Sequence, residues 1–315
     1  MTGAAGFIGS HLCEALLNEG FTVTGIDNFD PFYDRSVKEK NLELSLSHSN
    51  FHFKEGDAGN SDLLNSIHHS IDIVVHLAAK PGVLPSIMNP SAYIRTNIEA
   101  TGNLLEWMQQ KGLRKLVFAS SSSVYGNNAS IPFSEEDGVN EPISPYAFTK
   151  RSCELMNYTY HMLYQFDIVN LRFFTVYGER QRPDLAIHKF VRQIFSHQPI
   201  TIYGNGTTAR DYTYYSDTVS GIIAAIDYVA THKGVWETFN LGNHSPVTLI
   251  DLVNTIGNKA GIEPVLVYEP MKPGDVNITY ASIDKAGEKL GYHPRVKLED
   301  GIKNFIGWYK ERNGV

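Results

Sequence analysis

Positive charge is in short supply in this chain: 27 Lys and Arg stand against 34 Asp and Glu over 315 residues, a formal net charge of −7. No basic tract occurs anywhere along it, which argues against nucleic acid, whose binding rests on clustered Lys and Arg. A few local cations can still hold a small anionic ligand. Cysteine is scarcer still. Cys13 and Cys153 each sit in a partly apolar run of helical spacing. Neither has metal-ligand spacing, so no metal is expected and buried thiols are the plain reading. No apolar run reaches the length of a membrane span. No signal-peptide pattern precedes the first glycines, so the cytoplasm is the expected compartment. Repeats and low-complexity tracts are absent too, and the length suits slightly more than one average domain.

What the chain does have begins at Gly3. The run T-G-A-A-G-F-I-G places Gly3, Gly6 and Gly9 as G-x-x-G-x-x-G at the head of a helical pattern over residues 8–18. Such glycines permit a tight turn, close approach of a pyrophosphate to the backbone, and close helix–sheet packing. The helix N-terminus adds free N–H groups and a favourable dipole. Asp27 ends the next strand, over residues 21–27, where its carboxylate suits a ribose diol and repels a 2′-phosphate. NAD is therefore favoured over NADP. Asp57, after a third strand at 52–56, is placed to take an adenine amine. Only Met1 and Thr2 precede Gly3, so the first strand of the fold is nearly missing and a longer natural N-terminus is expected.

Strands at 71–77, 115–119 and 167–173 alternate with helices at 90–110 and around Lys150, which reads as an α/β fold with a doubly wound parallel sheet. The expected organisation is a Rossmann-like NAD-binding domain over 1–175, with return elements at 213–242. A smaller α/β nucleotide-sugar domain is expected over 176–212 and 243–315. In that second region helices are expected at 186–196, 217–231, 249–260 and 298–309. Strands are expected at 199–203, 235–241 and 264–270.

The chemistry concentrates in S-P-Y-A-F-T-K, where Tyr146 and Lys150 lie one helical turn apart and share a face. A phenol is too weakly acidic to serve as a neutral-pH base unless positive charge stands beside it. The ammonium and an oxidised nicotinamide would both supply that charge. Upstream runs a serine tract, 120–123, at the end of a strand, where ligands of parallel sheets gather. Alternation along the strand does not decide which serine turns inward.

These residues, with H-L-A-A at 76–79, A-S-S-S-S-V-Y-G at 119–126 and L-R-F-F-T-V-Y-G at 171–178, resemble the extended short-chain dehydrogenase/reductase family. More narrowly, they resemble its nucleotide-sugar 4-epimerase branch, over essentially the whole chain. The resemblance implies Ser121, Tyr146 and Lys150 as the catalytic set. It implies tightly bound NAD, regenerated each cycle, as a sugar O4 is deprotonated and the C4 hydride is taken up and then returned to the opposite face. The implied cofactor contacts are Gly3, Gly6, Phe7, Ile8, Gly9, Asp27, Asn28, Asp57, Ala58, Leu77, Ala78, Ala79, Lys80, Asn97, Tyr146, Lys150 and Phe173.

A UDP-sugar is the implied substrate. Arg210 and Lys272 would clamp the pyrophosphate, Tyr203 would stack on uracil, and Ala186, Ile187, His188 and Phe190 would flank the uridine. Asp275 would meet the ribose. Ser121, Ser122, Ser123, Tyr146, Phe174 and Thr175 would surround the sugar, with Thr279 as its gate. A small gate residue admits a 2-acetamido group, so UDP-N-acetylglucosamine and its C4 epimer are the first expectation. UDP-glucuronate is the second, since hydroxyls like those of Ser122, Ser123 and Thr175 suit a carboxylate. Several such enzymes carry arginine where Leu84 stands here, which disfavours an acidic sugar, although Arg182 offers a substitute cation. UDP-glucose follows. A dehydratase or a net dehydrogenase keeps the same Tyr–Lys pair, but a dehydratase wants an Asp-Glu pair where these serines run unbroken. A homodimer is also implied, through a four-helix bundle formed by the helices at 90–110 and 147–164, the second with Met156, Tyr160 and Tyr164 on one face, a stripe that core packing explains equally.

Overall fold

The computed structural model describes residues 1–270 and 277–314. In chain order its strands are β1 (Val23–Asp27), β2 (Phe51–Glu55), β3 (Val74–His76), β4 (Lys115–Ser121), β5 (Asp167–Phe173), β6 (Thr175–Tyr177), β7 (Ile200–Tyr203), β8 (Ala209–Tyr214), β9 (Trp236–Leu241), β10 (Pro246–Thr248) and β11 (Leu266–Glu269). The main sheet is parallel throughout: β1 pairs β2, and β3, β4, β5 and β9 follow one another. Between β1 and β3 lies the short N-terminal segment. Thr2 bridges Ile26 on one side and His76 on the other, both in parallel sense. Its N–H donates to Val75 O and its carbonyl accepts from Leu77 N–H. A single residue thus stitches the two halves of the sheet.

The period of two along β4 divides its side chains between two buried layers. Val117 joins Val169, Leu171 and the helices Phe7–Asn18 and Tyr215–Thr231 on one face. Leu116 and Phe118 join Ile168, Leu104, Met108 and Cys153 on the other, under the helices Ala100–Gln110 and Pro145–Tyr164. As anticipated, β9 returns from the second region to pair with β5.

The long helix expected over 90–110 is continuous but not uniform. Pro90–Tyr93 opens it, Ile94–Glu99 is wound as a π-helix, and Ala100–Gln110 completes it. The inserted turn presents Asn97, and such bulges are frequent at functional sites. Past β5, β8 pairs with both β6 and β10, and β7 pairs with β11, in two small sheets. The helices Ala186–Phe195, Leu249–Ala260 and Leu298–Asn313 pack a second core around them, from Ile187, Phe190, Leu252, Ile256, Ile302 and Phe305.

Candidate active site

A cavity of about 500 Å³ opens along the C-terminal edge of the main sheet, and its walls come from the glycine loop, β1, the loop after β3, the serine turn, Tyr146 and Lys150, and residues 173–185. At its cofactor end the wall is mostly backbone. Gly3 has φ +74°, and a Cβ there would stand 2.9 Å from Ala78 N; one on Gly9 would stand 2.0 Å from Gly3 O. Gly6 caps the helix Phe7–Asn18 without any side-chain acceptor, so the first-turn N–H groups have no capping side chain and face an anion-sized space. Asp27 is buried and accepts the N–H groups of Ala5 and Phe29 at 3.1 and 2.8 Å. Asn28 donates to Asp57 at 3.2 Å, and both line the cavity with Ala58. These shapes fit a dinucleotide: a side-chain-free loop for pyrophosphate, then a carboxylate at ribose distance.

Leu77, Ala78, Ala79 and Lys80 line the same groove, and Lys80 Nζ pairs with Asp30 at 2.7 Å. Asn97, expected among the cofactor contacts, lies behind this loop instead of on the cavity wall. Its amide accepts the Lys80 N–H at 2.7 Å and donates to Lys80 O and Thr149 Oγ1 at 3.1 and 3.0 Å. The π-helical turn therefore ties the loop after β3 to the helix that carries Tyr146 and Lys150. His76, beneath the loop, is held neutral, since burial and the Lys150 charge bring its pKa down to about 3. Thr101 spends its proton on Asn97 O at 2.6 Å, so His76 Nε2 must donate to Thr101 and Nδ1 must accept from Thr2.

The serine question is resolved by strand geometry. Ser120 Oγ donates to the buried Glu154 carboxylate at 2.6 Å, whereas Ser121 and Tyr146 both line the cavity, and Ser121 pulls the phenol pKa down. Ser121 also donates to Ser123 Oγ at 3.1 Å. Tyr146 begins the helix Pro145–Tyr164, and its N–H is capped by the buried Ser86 hydroxyl at 3.0 Å. Ser86, in a short helix Val83–Met88 that the sequence pattern did not reveal, sets where the tyrosine enters.

Lys150 departs from the simplest expectation. Its ammonium is buried, bonds Ala119 O at 2.7 Å and lies 5.1 Å from the centre of the Phe118 ring. Burial lowers its pKa to about 8 although the Glu154 carboxylate lies one helical turn away. Burial raises the Tyr146 pKa, and the opposing pulls come from Ser121 and the Arg182 charge. Arg182, which sequence reasoning had weighed only as a sugar contact, lines the same cavity as Tyr146. Its Nε and Nη2 fork onto Asp184 at 3.0 and 2.9 Å, and its guanidinium lies 5.2 Å from the Phe32 ring. Lys38 was missed altogether: it is buried and lies 3.6 Å from Asp27. Its surroundings read only as a polar, irregular stretch with a helix over 36–46.

Phe173, Phe174, Thr175, Ser122 and Ser123 line the cavity. Of the residues expected to hold the nucleotide, those described are not among the ones lining this cavity. Ile187 and Phe190 are core residues, because the apolar face of their helix packs on Phe305 and Leu252. His188 stacks edge-on against Phe305, Trp308 and Tyr309 and bonds Gln181 O at 2.7 Å. Ala186 heads that helix, Tyr203 ends β7, and Arg210, on β8, donates to Ala209 O at 2.9 Å. Thr279 is buried off the cavity wall, its hydroxyl accepting the Asp211 N–H at 3.2 Å. Lys272 and Asp275 lie outside the described residues. Among the described residues no group of three His, Cys, Asp or Glu side chains could hold a metal, and no helix is long and apolar enough to cross a membrane.

A family model described as GDP-mannose 4,6 dehydratase matches residues 1–305. The chain belongs to this family of extended short-chain dehydrogenases/reductases. Within it, the chain is 41% identical to a UDP-glucuronate 4-epimerase of Thermodesulfobacterium geofontis, covering 99% of this chain and 95% of the relative. The Bacillus cereus UDP-glucuronic acid 4-epimerase, crystallised with UDP-glucuronic acid and NAD, superposes with a TM-score of 0.93 at 38% identity, over 99% of this chain and 98% of that one. The UDP-N-acetylglucosamine 4-epimerase of Methanobrevibacter ruminantium, in complex with UDP-N-acetylmuramic acid, gives 0.90 at 30% identity, over 99% and 97%. The extended-family, epimerase-branch resemblance is thus borne out.

Proposed function

We propose that this chain is an NAD-dependent UDP-sugar 4-epimerase whose substrate is UDP-glucuronate. The observation that carries the choice of sugar is Arg182, which stands on the cavity wall with Ser122, Ser123 and Thr175. Arg182 places a guanidinium on the wall beside these hydroxyls, and a sugar carboxylate would share it with Asp184, onto which Nε and Nη2 fork. This compensates for Leu84, which is half-exposed where an arginine was missed. The earlier preference for the N-acetyl sugars rested on a small residue at Thr279, and that side chain is buried off the cavity wall. The UDP-glucuronate 4-epimerases among the relatives, at 41% and 38% identity, support the same reading.

In this reading the bound NAD supplies one thing, a reversible acceptor for the C4 hydride. The protein does the rest. Ser121 holds the sugar oxygen, and Tyr146 takes its proton and later returns it. Lys150 keeps positive charge under the strand that carries Ser121. Arg182 and the serine hydroxyls hold the carboxylate, and Arg182 also favours the phenolate. Epimerisation needs the sugar to turn over between the two hydride steps, so the lasting grip must fall on the nucleotide, through Arg210, Tyr203, Lys272 and Asp275.

The protein is also proposed to be a homodimer. Phe148, Leu155, Tyr158 and Met162 are exposed at heptad spacing on the helix Pro145–Tyr164. Met156 and Tyr160, expected on that face, pack on the core instead. Light scattering of the purified protein should give twice the chain mass.

The test of function is a panel of UDP-glucuronate, UDP-N-acetylglucosamine and UDP-glucose without added NAD, read as kcat/KM. UDP-glucuronate should lead. A higher value for UDP-N-acetylglucosamine would overturn the sugar assignment. No conversion of any of them after full NAD loading would sink the epimerase reading.

A further inference from the structure

Behind the serine turn runs a buried polar chain in which Glu154, Arg172, Tyr125 and Asn240 stand back from the cavity wall and only Ser120 reaches it. It starts at Glu154, one helical turn beyond Lys150. Arg172, on β5, forks onto Glu154 with Nε and Nη2, both at 3.0 Å, and Ser120 donates to the same carboxylate at 2.6 Å. Burial pushes the Glu154 carboxyl up, but the Arg172 fork outweighs it and holds it below the ordinary carboxylate range. The third arm of the guanidinium, Nη1, donates to the Tyr125 hydroxyl at 3.0 Å and the guanidinium carbon lies 4.8 Å from the Tyr125 ring centre. Tyr125 donates in turn to Asn240 Oδ1 at 2.7 Å. Asn240, at the end of β9, donates to Phe133 O at 2.9 Å and Ser282 O at 3.1 Å, while its N–H goes to Glu135. Phe133 is bridged to Ala281, two residues past Thr279. Glu154, Arg172, Tyr125 and Asn240 are each at most 3% exposed.

Resting on the epimerase reading, we propose that Tyr125 and Asn240, through Arg172, are positioning residues that fix the serine turn against Tyr146 and lock it to the segment carrying Thr279. The topology requires such a link. Ser121 ends β4 and caps the turn Ser122–Tyr125 that leads into a long loop, and Tyr125 closes that turn. Its hydroxyl is the sole member of the chain from the turn itself. Each of these buried groups is hydrogen-bonded to the next, and such networks hold one geometry because leaving a member unpaired is costly. Arginine is required at the branch because its planar fork reaches Glu154 and Tyr125 at once. The ring of Tyr125 packs on Phe133 and Phe174, so removing only the hydroxyl leaves the packing in place.

The deciding experiment is Tyr125→Phe in the NAD-loaded full chain. The expected result is a kcat loss of roughly tenfold to a hundredfold, the effect of one or two buried polar groups left unpaired. NAD content and KM should stay unchanged. Reduced nicotinamide should accumulate during turnover, as a loosely held 4-keto sugar escapes before the hydride returns. Hydrogen exchange should rise in residues 120–126 and 277–284 and nowhere in the glycine loop. An unchanged kcat, or a kcat that falls only in step with NAD content, would overturn the proposal, as would unchanged exchange in both segments. If wild type and variant alike convert no UDP-sugar, the epimerase reading fails and the exchange measurement still decides the network.

Discussion

At the cofactor end of the cavity the wall is backbone: Gly3 and Gly9 leave no room for a Cβ, and helix N–H groups face the space. At the sugar end the wall is side chain: Arg182, three serine hydroxyls, Thr175 and the phenol of Tyr146. The difference follows from what each end must do. A dinucleotide held through every cycle is best gripped by parts that cannot move. A sugar that must turn over needs groups that can release and re-form their bonds. Backbone sites fail abruptly when a methyl is added, and side-chain sites fail by degrees.

Four outcomes would sharpen or break that contrast. The largest is Tyr146→Phe, which should lower turnover by about a thousandfold or more while NAD stays bound. Retained activity would remove the base from the scheme. Next is Gly9→Ala. Its Cβ would meet Gly3 O at 2.0 Å, so the loop must shift, with a cost of about 1–3 kcal/mol from overpacking and loss of bound NAD. A purified variant with full NAD content and unchanged melting temperature would show the loop to be softer than drawn. Third, Arg182→Ala should raise KM for UDP-glucuronate by about one to two orders of magnitude, the worth of a charged hydrogen bond. It should affect UDP-glucose far less, and equal loss on both would remove Arg182 as the carboxylate partner. The smallest effect is in pH. Burial disfavours the ammonium of Lys150 and brings its pKa from 10.5 to about 8. As pH rises through that value the lysine loses its charge, so the pH profile of kcat should fall on an alkaline limb near pH 8. A limb near 10 would place Lys150 outside the titrating machinery.

The same division explains what the sequence made legible. Backbone sites write themselves into sequence, because only glycine meets their steric demand and a carboxylate follows at fixed distance. Gly3, Gly6, Gly9, Asp27 and Asp57 were all readable this way, and β5 and the helix Leu249–Ala260 were anticipated to the residue. Side-chain sites depend on tertiary approach. The strand β8 was overlooked because it alternates no clear apolar face. Its buried Asp211 is satisfied by the N–H groups of Asn243, His244 and Ala281, none adjacent in sequence. Ile187 and Phe190, expected beside the uridine, are buried on the apolar face of their helix, a packing that its amphipathic spacing also allowed. The direct reach of Lys150 toward Tyr146 was inferred from a shared helix face, but rotamer and burial aim the ammonium at Ala119 O.

The serine tract carries a lesson about economy. To a composition measure, four identical residues in a row are nearly empty of information. On β4 and the turn that follows they are four different instruments: Ser120 steadies Glu154, Ser121 meets Tyr146, Ser123 accepts from Ser121, and Ser122 faces the cavity. What tells them apart is parity along the strand. A one-residue insertion or deletion upstream in β4 would leave the tract looking untouched while exchanging Ser120 for Ser121 at the phenol. Lineages of this fold can therefore swap residues in that strand far more freely than they can change its length.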